Sequence, residues 1–361
     1  MVTKKYKLTE ETIKVNGSIL HRIEALKDFS DVKKGDKGGY IEKEENLSQS
    51  GDCWVYDDAM VFEDARIYGN ARVYDKAKVF DNAWVCDNAW VCDNAEVYGK
   101  ALVYGYAQVY GDAVVYGNAR VYGYARVYDY AEVYDKAWVY GNAEVFNNAQ
   151  VYCNALVIDN ARVYSNAKVC DNAMVRGKAN VYGNAMVYCD AKFYGNAMVY
   201  GNAKVYEDAR IYGNTKVYHN AEVCGNTRIY GNAIVRGDAV VCGDAVVYDN
   251  AAVYGNARIY GNAEICGDAE IASNSDYIVF KNWWSSGRYF TWTKSNNMWK
   301  VGFFYGTGEE LIEEAYKDSE KSGKEYKKVV VYVNSIKANE YDHVRKNIKE
   351  RLLLKIRKLF D

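Results

Sequence analysis

The run Ala113-Val114-Val115-Tyr116-Gly117-Asn118 decides the fold, because its order repeats without insertion or deletion from Ala59 to Asn274. That stretch is 216 residues, or thirty-six hexads, and a weaker hexad, Cys53 to Asp58, precedes it. The first position is Ala in every hexad except at Thr215 and Thr227. The third is Val or Ile everywhere except Phe193.

Positions one and three are two residues apart, so in an extended segment their side chains share a face. The second position points the other way and is variable and often charged, as at Arg66, Lys78, Glu96 and Arg120. Gly-Asn or Asp-Asn then supplies turn chemistry, since Gly and Asn accept positive φ at low cost. Each hexad is therefore a short strand plus a corner. A strand this short cannot bury its valine alone, and stacked coils supply the core.

An inward aliphatic residue, a turn pair, and a small inward residue four positions on (Val115 and Ala119, Val253 and Ala257) resemble the hexapeptide-repeat left-handed parallel β-helices. The resemblance covers roughly three-fifths of the chain and implies a triangular prism with three hexads per coil. The expected fold is an all-β solenoid of about 12 coils, ~58 Å long at the ~4.8 Å strand spacing. The residue after the inward aliphatic is usually small or acidic in that family, and here it is Tyr. By analogy with the fold, the chain is expected to be a homo-oligomer, with a trimer favoured.

Eighteen-residue coils align Tyr104, Tyr122 and Tyr140 on one edge, and likewise Tyr182, Tyr200 and Tyr218, as stacked ladders with hydroxyls in water. The second position along one face reads Arg66, Trp84, Leu102, Arg120, Trp138, Leu156, Met174. Trp84, Leu102, Trp138, Leu156 and Met174 in register form a contact surface, read first as a self-association face.

A net charge of −2 gives no global pull toward nucleic acid or acidic membrane, and no double-stranded nucleic-acid partner is expected. The chain has 36 Tyr and no Pro. Of the nine cysteines, Cys86, Cys92, Cys170, Cys224, Cys242 and Cys266 take the fourth position in place of Tyr. They read as substitutions in a reducing compartment and not as a disulfide framework. Neither an apolar leader after Met1 nor a membrane-length apolar run is present, so the expectation is a bacterial cytoplasm with no integral membrane contact.

Residues 1–52 read as a cap, with Ile13 to Leu20 a hairpin turned by Asn16-Gly17 and a first coil at Tyr40-Ile41. Such a cap would cover the open end of the solenoid, whose terminal strands otherwise pair with other chains. Residues 275–361 read as an α+β domain. It has a strand at Tyr277 to Phe280, a hairpin around Ser295-Asn296-Asn297, and a capping box at Thr307 to Glu310. It ends in a basic helix with Val344, Ile348, Leu352, Ile356 and Leu359 on one seam. Packing or oligomerisation, nucleic-acid contact and peripheral membrane contact all remain open for that helix. Tyr6 to Thr9, His21 to Leu26, Gly38 to Glu42 and Trp283 to Tyr289 resemble a group of proteins carried by phages and prophages. That resemblance implies origin and carries no chemistry with it.

A hexapeptide acyltransferase would need a histidine base, and a zinc carbonic anhydrase three histidine ligands. His21, His219 and His343 lie in three separate regions, so no catalytic set, metal site or cofactor is expected. Ice binding lacks ranks of threonine, and nucleic-acid mimicry lacks a strongly acidic rod. Trp283, Trp284, Arg288, Tyr289, Trp292, Trp299 and Lys300 combine stacking faces with positive charge. That cluster would suit a nucleotide or a single strand, or else form the core of its own small sheet. The functional expectation is a non-catalytic phage-type binding or scaffold protein that sequesters a nucleotide signal of host defence. A virion fibre and, last, an acyltransferase are the alternatives.

Overall fold

The computed structural model describes residues 4–360. Each hexad places its first and third side chains inside the rod, where every alanine and valine from Ala59 to Ile271 at these positions is shielded from water. Burying one valine contributes about 2 kcal/mol, and the repetition makes a single continuous core. From Glu63 to Gly267 the fifth position turns the corner with φ between 55° at Glu63 and 81° at Gly243. Gly is the low-cost occupant there, and Asp is the common alternative.

Successive coils pair as parallel strands in three sheets. The first sheet holds 15 strands because the N-terminal hairpin joins it, the second holds 12 and the third 13. There is thus about one coil more than the hexad count implies, since Lys37–Ile41 and Trp54–Val55 already lie in the ladder. Amides of the second, fourth and sixth positions donate to the coil below: Arg120 to Ala137 at 2.9 Å, Tyr122 to Val139 at 3.0 Å, Tyr124 to Gly141 at 2.7 Å.

The fourth-position rings stack with the coil spacing. Tyr104, Tyr122 and Tyr140 are 4.8 and 4.7 Å apart between ring centres, and Tyr182, Tyr200 and Tyr218 are 4.8 Å apart at each step. Burial of the stack pushes the hydroxyls of Tyr128, Tyr134 and Tyr188 up to about 12. A second ladder runs along the corners. The fifth-position carboxylates accept the backbone N–H of the next coil, Asp93 from Gly111 at 2.8 Å and Asp81 from Gly99 at 3.0 Å.

Six of the nine cysteines take the tyrosine position, and two of these depart from the expectation of free thiols. Cys224 and Cys242, one coil apart with Cα atoms 4.6 Å apart, form a disulfide. The eighteen-residue repeat stacks any two such cysteines directly, so the repeat itself supplies the approach a disulfide requires.

Strands β1 (Tyr6–Val15) and β2 (Ser18–Ala25) form the hairpin, with φ of 49° at Asn16 and 94° at Gly17. They pair through β3 (Lys37–Ile41) onto the first coils. The hairpin also folds over the outer surface, where Leu20 packs with Tyr40 and Phe62, and Ile13 and Val15 close over them. Arg22 fixes it, donating to Glu11, to Asp58 at 3.0 Å and to the Tyr40 hydroxyl at 2.6 Å.

At the other end, strands Tyr277–Lys281, Tyr289–Thr293, Met298–Val301 and Phe304–Gly306 form an antiparallel sheet, followed by α1 (Gly308–Asp318) and α2 (Glu320–Phe360). Thr307 caps α1, its hydroxyl accepting from the Glu310 amide while Glu310 accepts from the Thr307 amide. The sheet docks on the last coil, with Glu264 N–H donating to Thr291 Oγ1 at 2.9 Å and Glu270 N–H to Ser295 Oγ at 2.7 Å. The seam of Val344, Ile348, Leu352, Ile356 and Leu359 lies outside the described side chains. No helix among the described residues is long and apolar enough to cross a membrane.

Candidate functional site

The aromatic-basic cluster does not form one surface. Trp292 and Trp299 are cross-strand partners, so their rings share a sheet face. That face is covered by the helices, and both rings are buried with Trp284, Phe290, Leu311, Tyr326 and Val330. Trp283 alone stands out, 74% exposed, edge-on to Trp284. Arg288 and Tyr289 are exposed. Lys300 donates to the Gly302 carbonyl at 2.5 Å and lies 6.0 Å from the centre of the Tyr248 ring. As a stacking platform the cluster loses its three buried tryptophans, and it is a packed core instead.

The row on the second sheet is assembled as the repeat implies. Trp84 pairs with Leu102, Arg120 with Trp138, and Leu156 with Trp138 and Met174. The Arg120 guanidinium lies over the Trp138 ring at 4.9 Å, and Trp84 is 41% exposed. His219 sits at an exposed corner, edge-on to Tyr218. His21 Nδ1 lies 3.0 Å from the Thr9 carbonyl, and the side chain of His343 lies outside the described residues.

Asp75, Cys92 and Asp93 converge closely enough to suggest a metal site. Their chemistry argues for the corner instead. Asp75 accepts from the Asp93 amide at 3.3 Å and Asp93 from Gly111 at 2.8 Å, so both carboxylates already serve the corner ladder, while burial pushes the Cys92 thiol up to about 11.

One cleft was not foreseen from the sequence. Where the hairpin overhangs the outer face of the first sheet, a cleft of about 650 Å³ opens between Ile13 and Val114. Two rows line it in coil register: Met60, Lys78, Glu96 and Val114 from the second position, and Asp58, Lys76, Asn94 and Asp112 from the sixth. Lys78 pairs with the half-buried Glu96 at 2.8 Å, and Asn94 donates to Asp112 at 3.1 Å. Only the charged variety of these second and sixth positions hinted at it. The wall comes from a segment outside the repeat, so periodicity could not reveal it.

Two comparisons bear on this chain. The family model described as the YdcK β-solenoid repeat matches residues 65–79, 107–123, 115–129 and 228–243, all within the rod. A protein of Escherichia coli (strain K12), named uncharacterized acetyltransferase YdcK, is 40% identical over 62 residues, which is 15% of this chain and 19% of that protein. The functional expectation is corrected accordingly. The likeness leads to a solenoid named as an enzyme, so the non-catalytic phage scaffold sequestering a nucleotide and the virion fibre are both set aside. What the chain shares with these relatives is the β-solenoid repeat.

Proposed function

We propose that this chain is an acyltransferase, moving an acetyl-type group from a thioester to a hydroxyl or amine in the cleft beneath the hairpin. One observation carries the reading: the segments matched by the YdcK repeat model, 65–79 and 107–123, supply Lys76, Lys78, Asp112 and Val114 to that cleft. In this reading the base is a carboxylate instead of a histidine. Glu96 takes the proton of the acceptor as its oxygen or nitrogen attacks the thioester carbonyl carbon. The ammonium of Lys76, exposed on the neighbouring row, faces the charge that develops on the carbonyl oxygen. The carbon–sulfur bond then breaks, and the departing thiolate recovers the proton from Glu96.

The test is incubation with acetyl-coenzyme A and a panel of amino and hydroxyl acceptors, with acetylated product read by mass spectrometry. Acceptor-dependent product that falls at least a hundred-fold in Glu96→Gln and markedly in Lys76→Ala is expected, since general-base catalysis contributes ~10²–10⁴-fold. Product from no acceptor, or full activity in Glu96→Gln, would sink the assignment.

A further inference from the structure

Elsewhere on the rod the repeat breaks in a way that its stability does not explain. At the corner between the second and third sheets the sixth position is usually Asn, and these amides hydrogen-bond coil to coil. Asn196 donates to Asn214 at 2.9 Å, and Asn214 and Asn232 each pass the bond on at 3.1 Å. The upper part of the ladder starts the same way, with Asn70 donating to Asn88 at 3.2 Å. Tyr106 and Tyr124 then interrupt it. Among the described residues the Asn88 amide nitrogen has no partner in the next coil, and the bonds resume only at Asn142 with Asn160.

The two tyrosines are stacked on each other, 5.0 Å apart and within 6° of parallel, and are 52% and 62% exposed. Two large rings in water replace two asparagines, and with them three links of a hydrogen-bonded ladder. Beside them on the third sheet lies Trp90, 40% exposed, and the three rings line a groove of about 550 Å³ with Arg72, Asn88 and Gln108.

The charge around this groove selects the ligand. Arg72 is paired with Asp31 at 3.4 Å and donates to Ser30 at 3.2 Å, and the nearby Arg126 is paired with Glu144. Asp52 on the rim adds a negative charge. Among the described residues of the groove a polyanion would meet no free cation, which disfavours nucleic acid. What remains are flat aromatic faces bordered by neutral amide donors and acceptors. That combination fits a ligand with apolar ring faces and hydroxyl edges.

We infer that the groove of Trp90, Tyr106 and Tyr124 is a binding site for a neutral oligosaccharide, with sugar rings lying on the aromatic faces and hydroxyls on Asn88 and Gln108. The site lies on a different face from the acyl-transfer cleft and does not depend on it.

The experiment is titration of the full chain, by calorimetry and tryptophan fluorescence, with three neutral hexasaccharides: β-1,4-linked glucose, β-1,4-linked N-acetylglucosamine and α-1,4-linked glucose. A hexanucleotide of thymidine serves as the charged counterpart. Saturable binding of at least one hexasaccharide, with a change in tryptophan emission, is expected. The double variant Tyr106→Asn, Tyr124→Asn restores the amide ladder and so preserves the fold. It should weaken that binding roughly ten-fold or more without lowering the melting temperature, and Trp90→Ala should abolish the fluorescence change. Glu96→Gln should bind sugar as the parent does, which separates this site from the transfer reaction. Binding of no hexasaccharide, binding unchanged in the double variant, or binding of the thymidine hexamer in preference would each overturn the assignment.

Discussion

Thr215 and Thr227 replace alanine at the inward first position, and both are shielded from water. Their hydroxyls differ. Thr227 Oγ1 donates to the Cys224 carbonyl at 2.6 Å, whereas Thr215 Oγ1 has no partner among the described residues. Substituting either by alanine removes one methyl group from the core, at a cost of about 1 kcal/mol. For Thr227→Ala the lost hydrogen bond adds about 1 kcal/mol, for a destabilisation of about 2. For Thr215→Ala the unsatisfied hydroxyl is also removed, which relieves about 1–3 kcal/mol, so the net effect runs from neutral to about 2 kcal/mol of stabilisation. The loss of β-branching is common to both sites and cancels in the comparison. A long solenoid need not unfold in one step, so a local probe is the proper assay. Amide exchange read at Met198 and Arg210 reports the two sites directly, because their N–H groups donate to the Thr215 and Thr227 carbonyls. Exchange should quicken at Arg210 in Thr227→Ala, and hold or slow at Met198 in Thr215→Ala. Equal quickening in both variants would refute the hydrogen-bond reasoning.

Three further outcomes follow from the same geometry. Thiol counting in denaturant should give seven reactive thiols before reduction and nine after, and reduction should cost about 3 kcal/mol through the freed eighteen-residue loop. Absorbance at 295 nm should show ladder tyrosines still protonated above their ordinary value of 10. Because burial raises the folded value, that contribution to stability is complete below pH 10 and is lost as pH climbs through about 12. At the acid end, hydrogen bonds from Lys37 and Arg22 hold Glu11 down to about 2. The depressed folded value means its support of the hairpin is present above pH 4.5 and fades toward pH 2, and amide exchange in β1 should show this in the parent but not in Glu11→Gln.

The rod was legible because one period forces one geometry, and Asn16-Gly17 and Thr307 to Glu310 carry turn and cap chemistry that acts locally. Less could be read where meaning depends on what arrives from elsewhere. The strand of Trp292 alternates, but nothing in its sequence says which face the helices cover, so core and platform both stayed open. The cleft needs Ile13 to reach across from the hairpin. The disulfide was readable in hindsight, since Cys224 and Cys242 differ by one coil. Fifth-position aspartates were taken only as turn formers, and their bonds to the next coil appear only once the coils are stacked. Tyr106 and Tyr124 were visible as departures from Asn, but the weight of that departure rests on the ladder they interrupt.

The eighteen-residue coil also works as a screw thread. Removing or adding one whole coil shortens or lengthens the rod by about 4.8 Å and leaves the hairpin end and the α+β end in the same rotational phase. Removing a single hexad turns one end against the other by a third of a revolution and moves every later side chain to a different face. A change in the number of repeats therefore keeps the two ends in phase only when it comes in whole turns.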